Sequence, residues 1–166
     1  MISFNEVKAK PDIDKVSELA YEVWNQHFVA IIGQEQVDYM LDKFQNSNAI
    51  ARQISDGYEY YLIANNDKNV GYLGLLTDIN TSKMMISKFY IKQGSRGLGI
   101  GSAALKYVQQ LAKQRKLNKA WLTVNRHNKK TIDWYLKQHF VITDEVKKDI
   151  GQGFYMDDYI MELEIL

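Results

Sequence analysis

Three glycines at every second position, Gly97, Gly99 and Gly101, follow Arg96 and precede Ser102. Glycine lets backbone N–H groups come close to a bulky anion. The residues that follow read as a helix, with Ile100, Ala103, Ala104, Tyr107, Val108, Leu111 and Ala112 at i, i+3, i+4, i+7 spacing. The first turn of a helix carries N–H groups without intrahelical partners, and the helix dipole adds positive potential there. A phosphate or pyrophosphate is the ligand suited to such a device. Spacing then narrows the class. A P-loop needs Lys directly after its last glycine, whereas Ser102 and Ala103 follow Gly101. A dinucleotide fingerprint needs Gly-x-Gly-x-x-Gly and an acid about 20 positions later, and Lys119-Ala120-Trp121-Leu122 offers none.

A second segment could carry side-chain chemistry. Asn128 and Tyr135 are separated by close to two helical turns, which places them on one side of a helix start. The plain alternatives are an N-cap for Asn128 and a core aromatic for Tyr135, beside apolar Ile132, Trp134 and Leu136.

Together the two segments resemble the GNAT superfamily of N-acetyltransferases. Arg96-Gly97-Leu98-Gly99-Ile100-Gly101 matches the Gln/Arg-x-x-Gly-x-Gly/Ala loop that holds acyl-CoA in that family. Asn128, Tyr135 and Phe140 match its Asn-x-x-Ala-x-x-x-Tyr-x-x-x-Gly-Phe segment, with Thr131 in place of Ala and His139 in place of Gly. The resemblance implies acetyl-CoA as co-substrate; no metal is expected, because His27, His127 and His139 show no ligand spacing with one another or with acids. It implies that N–H groups from Gly97 to Ser102, including Leu98 and Ile100, hold the pyrophosphate. The backbone of Phe89, Tyr90 and Ile91 would pair with the pantetheine amides, as a ligand adds to a strand edge. Asn128 would bond the pantetheine arm or the first helical turn, and Tyr135 would protonate the leaving thiolate. The family often places a general-base carboxylate at positions that align with Ser87 and Thr123. Neither residue is a base at neutral pH, so deprotonation is expected to remain largely the amine's own burden.

The elements needed to position these groups are legible along the chain. Ile2 to Val7 alternates as a strand, and a helix opens at Pro11-Asp12 and runs to about Val29, with Gly33 beyond it. Gln36 to Phe44 and Ala49 to Ile54 read as two short helices. Tyr58 to Ala64, Val70 to Leu76 and Lys83 to Ile91 form a meander, its first turn at Asn65 to Asn69. Glycines in the second of these strands suggest a bulge or a close approach. After the glycine loop and its helix come a strand at Ala120 to Val124, a helix at Lys129 to Gln138, a strand at Phe140 to Glu145, a loop at Gly151 to Gly153 and a strand at Tyr155 to Leu163. The order predicts an α/β fold: a single GNAT-like domain over residues 1–166, with a mixed, mostly antiparallel central sheet flanked by helices.

Composition sets the remaining bounds. The chain of 166 residues has 21 basic and 20 acidic side chains and no cysteine. Disulfides and thiolate chemistry are excluded, and near-neutral charge argues against a nucleic-acid or membrane surface. No signal pattern and no run of membrane-spanning length is visible, so a cytoplasmic protein is expected. The expected partner is a small-molecule amine, a polyamine being the leading candidate because Glu145, Asp149, Asp157 and Asp158 gather near the C-terminal end. His27, Asp157 and Asp158 are the candidate acceptor-binding residues, and a homodimer is an open alternative for assembly. Two other readings stand beside catalysis on a small amine: an acyl-CoA-binding sensor without turnover, and acetylation of a protein N-terminus or lysine.

Overall fold

The computed structural model describes residues 1–166. It contains strands β1 (Ile2–Glu6), β2 (Glu59–Asn65), β3 (Lys68–Asp78), β4 (Lys83–Ile91), β5 (Lys119–Asn125), β6 (Val141–Gly151) and β7 (Phe154–Glu164). Its helices are α1 (Lys10–His27), α2 (Val29–Ile32), α3 (Gln34–Phe44), α4 (Ser47–Ser55), α5 (Ile100–Gln114) and α6 (Lys129–Lys137). The strands form one seven-stranded sheet in the order β1-β2-β3-β4-β5-β7-β6. It is mostly antiparallel, with β4 and β5 the parallel pair. This is the α/β architecture that the element order predicts. By contact density the chain divides into two compact units, Met1–Leu76 with Ser87–Val108, and Thr77–Ile86 with Gln109–Leu166.

In the first unit helices cover both faces of the sheet. Cross-strand partners share a face, so Leu62 and Tyr72 lie on one side, and Phe4, Ile63, Tyr61 and Leu73 on the other. The first side receives α1: Trp24 and Phe28 meet Tyr90 edge-on, and Tyr90 meets Tyr72. The second side receives α5, whose Tyr107 stacks on Phe4 at 4.4 Å and meets Tyr61 edge-on. Pro11 and Asp12 stand in the first turn of α1, as expected of a helix start. Asn46 caps α4 by accepting the Ala49 N–H at 2.8 Å. Asn46, Ser47 and Asn48, which lie between the two short helices expected from the sequence, are therefore the cap and opening of α4.

The glycines of β3 are explained by both of the reasons expected. The register passes from Ile63↔Gly71 to Ala64↔Asn69, so Val70 is an extra, bulged residue. Its carbonyl accepts the Lys92 N–H at 2.8 Å. A Cβ on Gly71 would lie 2.3 Å from the Tyr90 carbonyl oxygen, so no larger residue fits there. The hairpin between β2 and β3 is tighter than expected. Asn66 and Asp67 alone form the turn, both at positive φ, as a two-residue primed turn requires.

In the second unit β5, β7 and β6 run antiparallel. The parallel register of β5 with β4 covers Lys83↔Lys119 to Met85↔Trp121. Glu162 on β7 joins Lys83 at 3.1 Å and Lys119 at 3.7 Å. The largest departure from expectation is β6, which extends to Gly151 rather than ending near Glu145. It is the terminal strand of the sheet and is exposed over most of its length, with Ile150 its one buried residue. Such a strand has no buried face to write an alternating pattern into its sequence. No helix is long and apolar enough to cross a membrane.

Candidate functional site

The glycine loop lies wholly in the first unit. β4 ends at Ile91, one 3-10 turn covers Gln93–Ser95, and α5 begins at Ile100. The turn is held to α1 by a Lys92–Glu22 ion pair at 3.2 Å and by the Gln93 N–H donating to Gln26 Oε1 at 3.4 Å. Arg96 folds back, its Nε donating to the Ile91 carbonyl at 3.2 Å. That bond fixes the exit from β4, so the arginine has a structural duty besides any ligand contact. Gly97 and Gly99 both take positive φ, 78° and 77°. No atom lies within 4 Å of where a Cβ on either would project. Packing therefore does not demand glycine here, and the space before the helix is open to a ligand. Ile100 is buried and anchors α5, whose buried stripe continues through Ala104, Leu105, Val108 and Ala112. The Ala103 N–H is the first to close a helical bond, to the Gly99 carbonyl. The N–H groups of Ile100, Gly101 and Ser102 precede it, at the end of α5 where the helix dipole favours an anion. The residues present fit a pyrophosphate.

Phe89, Tyr90 and Ile91 form the end of β4 as expected. His27 is the last residue of α1, half-buried, with its ring edge-on to Phe28 at 4.8 Å. Lys88 was not singled out by sequence. It lies along the position that a Gly74 side chain would occupy, its ammonium donates to Gln53 Oε1 at 3.5 Å, and burial lowers its pKa to about 8.

The second unit holds the side-chain candidates. Asn128 stands at the N-cap of α6 and is 6% exposed, yet its side chain makes no capping bond. The Asn128 N–H instead donates to the Asn125 carbonyl at 2.9 Å, and Asn125 Oδ1 accepts the His127 N–H at 2.9 Å. Tyr135 is buried on α6, its ring edge-on to Phe140 and Trp134. The α6 C-terminus explains the departure at His139. The Phe140 N–H bonds the Tyr135 carbonyl and the His139 N–H bonds the Leu136 carbonyl, a Schellman cap. His139 sits at φ 73°, where glycine would be the unstrained choice.

The acids near the C-terminal end do not form the free negative field that their sequence density suggests. Asp157 Oδ1 is 2.8 Å from Arg126 Nε, and Glu145 approaches the same guanidinium at 3.7 Å. Asp149 Oδ1 accepts the Gly151 N–H. Asp158 faces the interior and is 3% exposed. Strand alternation separates these two neighbours: Asp157 pairs outward and Asp158 is buried. Burial pushes the Asp158 carboxyl up to about 6, against a lowering hydrogen bond from the Thr123 hydroxyl, with the Asp157 charge adding to the rise. Its Oδ1 has no hydrogen-bond partner.

Known proteins agree with this geometry. Residues 17–140 match the model of the Acetyltransferase (GNAT) family. An uncharacterised N-acetyltransferase of Mycobacterium bovis is 23% identical over 155 residues, covering 93% of this chain and 99% of its own. The structure of PaiA N-acetyltransferase from Thermoplasma acidophilum in complex with coenzyme A superposes with a TM-score of 0.81 at 19% identity, covering 99% of each chain. The ribosomal-protein-S18-alanine N-acetyltransferase of Escherichia coli gives 0.71 at 16% identity, over 99% of this chain and 94% of its own. The glycine loop at the head of α5, the Asn128–Tyr135 segment on α6 and a family match over most of the chain lead to one assignment: the chain belongs to the Acetyltransferase (GNAT) family.

Proposed function

We propose that the chain is a cytoplasmic enzyme that moves an acetyl group from acetyl-CoA to a primary amine on a small molecule, working as one catalytic domain over residues 1–166. The observation that carries this reading is the open, left-handed pair Gly97 and Gly99 at the head of α5. Backbone N–H groups from Gly97 to Ser102 hold the pyrophosphate, and the Phe89–Ile91 edge pairs with the pantetheine amides. Asn128 bonds the pantetheine arm or the first turn of α6, and His27 borders the acceptor. Tyr135 gives its proton to the departing thiolate. A primary amine, rather than a polyamine in particular, is the acceptor that the charges support, because Asp157 and Glu145 share Arg126.

Calorimetry with acetyl-CoA and thiol release across a panel of primary amines test the reading together. Binding with amine-dependent thiol release and a mass gain on the amine is the expected result. Binding without release from any amine would mark an acyl-CoA-binding protein, and acetylation confined to a protein chain would replace the small-molecule acceptor.

A further inference from the structure

The reaction needs a proton acceptor, and the two positions that align with the family's usual carboxylates hold Ser87 and Thr123. The fold places a carboxylate behind one of them. Asn125 on β5 pairs directly with Asp158 on β7, and Thr123 lies two residues back on the same face. The Thr123 hydroxyl donates to the Asp158 carboxylate, while Asp158 Oδ1 is buried without any partner. An unpaired carboxylate oxygen in the interior is costly and calls for a reason. Thr123 is only half-buried, whereas Asp158 is closed off from solvent.

Resting on the acetyl-transfer reading, we propose that Thr123 and Asp158 form a proton relay that deprotonates the acceptor ammonium. The ammonium N–H bond breaks as its proton passes to Thr123 Oγ1. The threonine's own proton moves to Asp158, leaving the hydroxyl unchanged. The amine lone pair then forms the C–N bond as the C–S bond breaks. Tyr135 protonates the thiolate and recovers a proton from the tetrahedral nitrogen, and Asp158 later returns its proton to solvent. Thr123 is the group that meets the amine, and Asp158 acts through it.

The surroundings leave Asp158 as the titrating member. On β7 its neighbours are Asp157, held by Arg126, and Tyr159, under the same guanidinium. On β5 it faces Asn125. On β6 it faces Val146, with Lys147 opposite Asp157 and Glu145 opposite Tyr159. A carboxyl that titrates near pH 6 is ionised and still basic at neutral pH, the range in which a general base works best.

The shape of the pH profile tests the relay. With the relay, kcat/KM for a simple alkylamine requires ionised Asp158 and the ammonium form. It should therefore level off between about pH 7 and 9, below the amine's pKa of ~10.4. Asp158→Asn and Thr123→Val should turn that plateau into a rise of about tenfold per pH unit, because only the free amine then reacts. The loss at pH 7 should reach roughly 10²-fold or more. Thr123→Ser should keep the plateau. A variant that is slower at every pH but keeps the wild-type shape would overturn the relay and leave acetyl transfer standing. If Asp158→Asn fails to fold, the Thr123→Val and Thr123→Ser pair decides the matter alone. A wild-type profile already rising tenfold per unit would also overturn it, and a wild type inactive with every amine would remove the acetyl-transfer reading itself.

Discussion

Left-handed backbone occurs in this chain at tight turns, in the glycine loop and at helix ends, and the residues found in the last two places differ. Ahead of α5 it falls on Gly97 and Gly99. At the ends of α5 and α6 it falls on Lys116 and His139. Both helix ends are Schellman caps: Leu117 bonds back to Ala112 and Phe140 to Tyr135. A side chain at positive φ costs roughly 1–2 kcal/mol. The chain tolerates that cost where the side chain merely points away from a helix end. In the loop it uses glycine, although no protein atom would obstruct a Cβ. The contrast is the one expected if a ligand approaches the backbone there. It also separates the units by the kind of chemistry offered: backbone N–H groups from the loop, side chains from the α6 segment.

The largest effect expected from testing this contrast is on the side-chain half. Tyr135→Phe keeps the ring against Phe140 and removes only the proton, so kcat should fall by about 10²–10⁴-fold. Acetyl-CoA affinity and melting temperature should hardly change. Steady-state kinetics beside calorimetry would show it, and near-wild-type turnover would reduce Tyr135 to a packing residue.

The loop should respond the opposite way. Gly99→Ala places a methyl group where the anion approaches and forces an L-residue to positive φ. Loss of one charge-assisted bond, worth about 1.5–3 kcal/mol, corresponds to an affinity drop of roughly 10–10²-fold. The folding cost should stay near the ~1–2 kcal/mol of the backbone. Equal affinity in the folded variant would assign both glycines to loop geometry alone.

Asp158 should show a stability effect of intermediate size. Its pKa is raised from 3.8 to about 6 on folding, so its contribution is most favourable below pH 3.8 and is lost as pH rises through 6. Asp158→Asn, free of that ionisation cost, should gain on the order of 2–3 kcal/mol relative to wild type between pH 4 and pH 7. Denaturant melts at both pH values measure the difference, and a pH-independent difference would contradict the assigned shift.

The smallest effect belongs to the helix caps. His139→Gly relieves the left-handed strain, partly offset by the greater freedom of glycine in the unfolded chain. A net gain of roughly 0.5–1 kcal/mol is expected, with kinetics unchanged. A loss would mean that the histidine side chain contributes more than its backbone conformation costs.

Much of this was open to a reader of the sequence. Local chemistry sets the glycine loop, its helix, the β2–β3 turn and the glycines of β3, because φ preference, periodicity and steric size act over a few residues. Those signals also carried the family resemblance and the α/β order of elements. Other features needed the folded chain. The length of β6 was hidden because an exposed edge strand has no apolar face to repeat. The acidic cluster read as one field, but Arg126 takes Asp157 and Glu145 while strand alternation turns Asp158 inward. The pairing of β5 with β7 alone brings Asp158 behind Thr123, and no periodicity within either strand encodes that register. Sequence fixes what each segment can become. Charge partners, burial and the company of a carboxylate are properties of the pairing between segments, so the tertiary structure decides them.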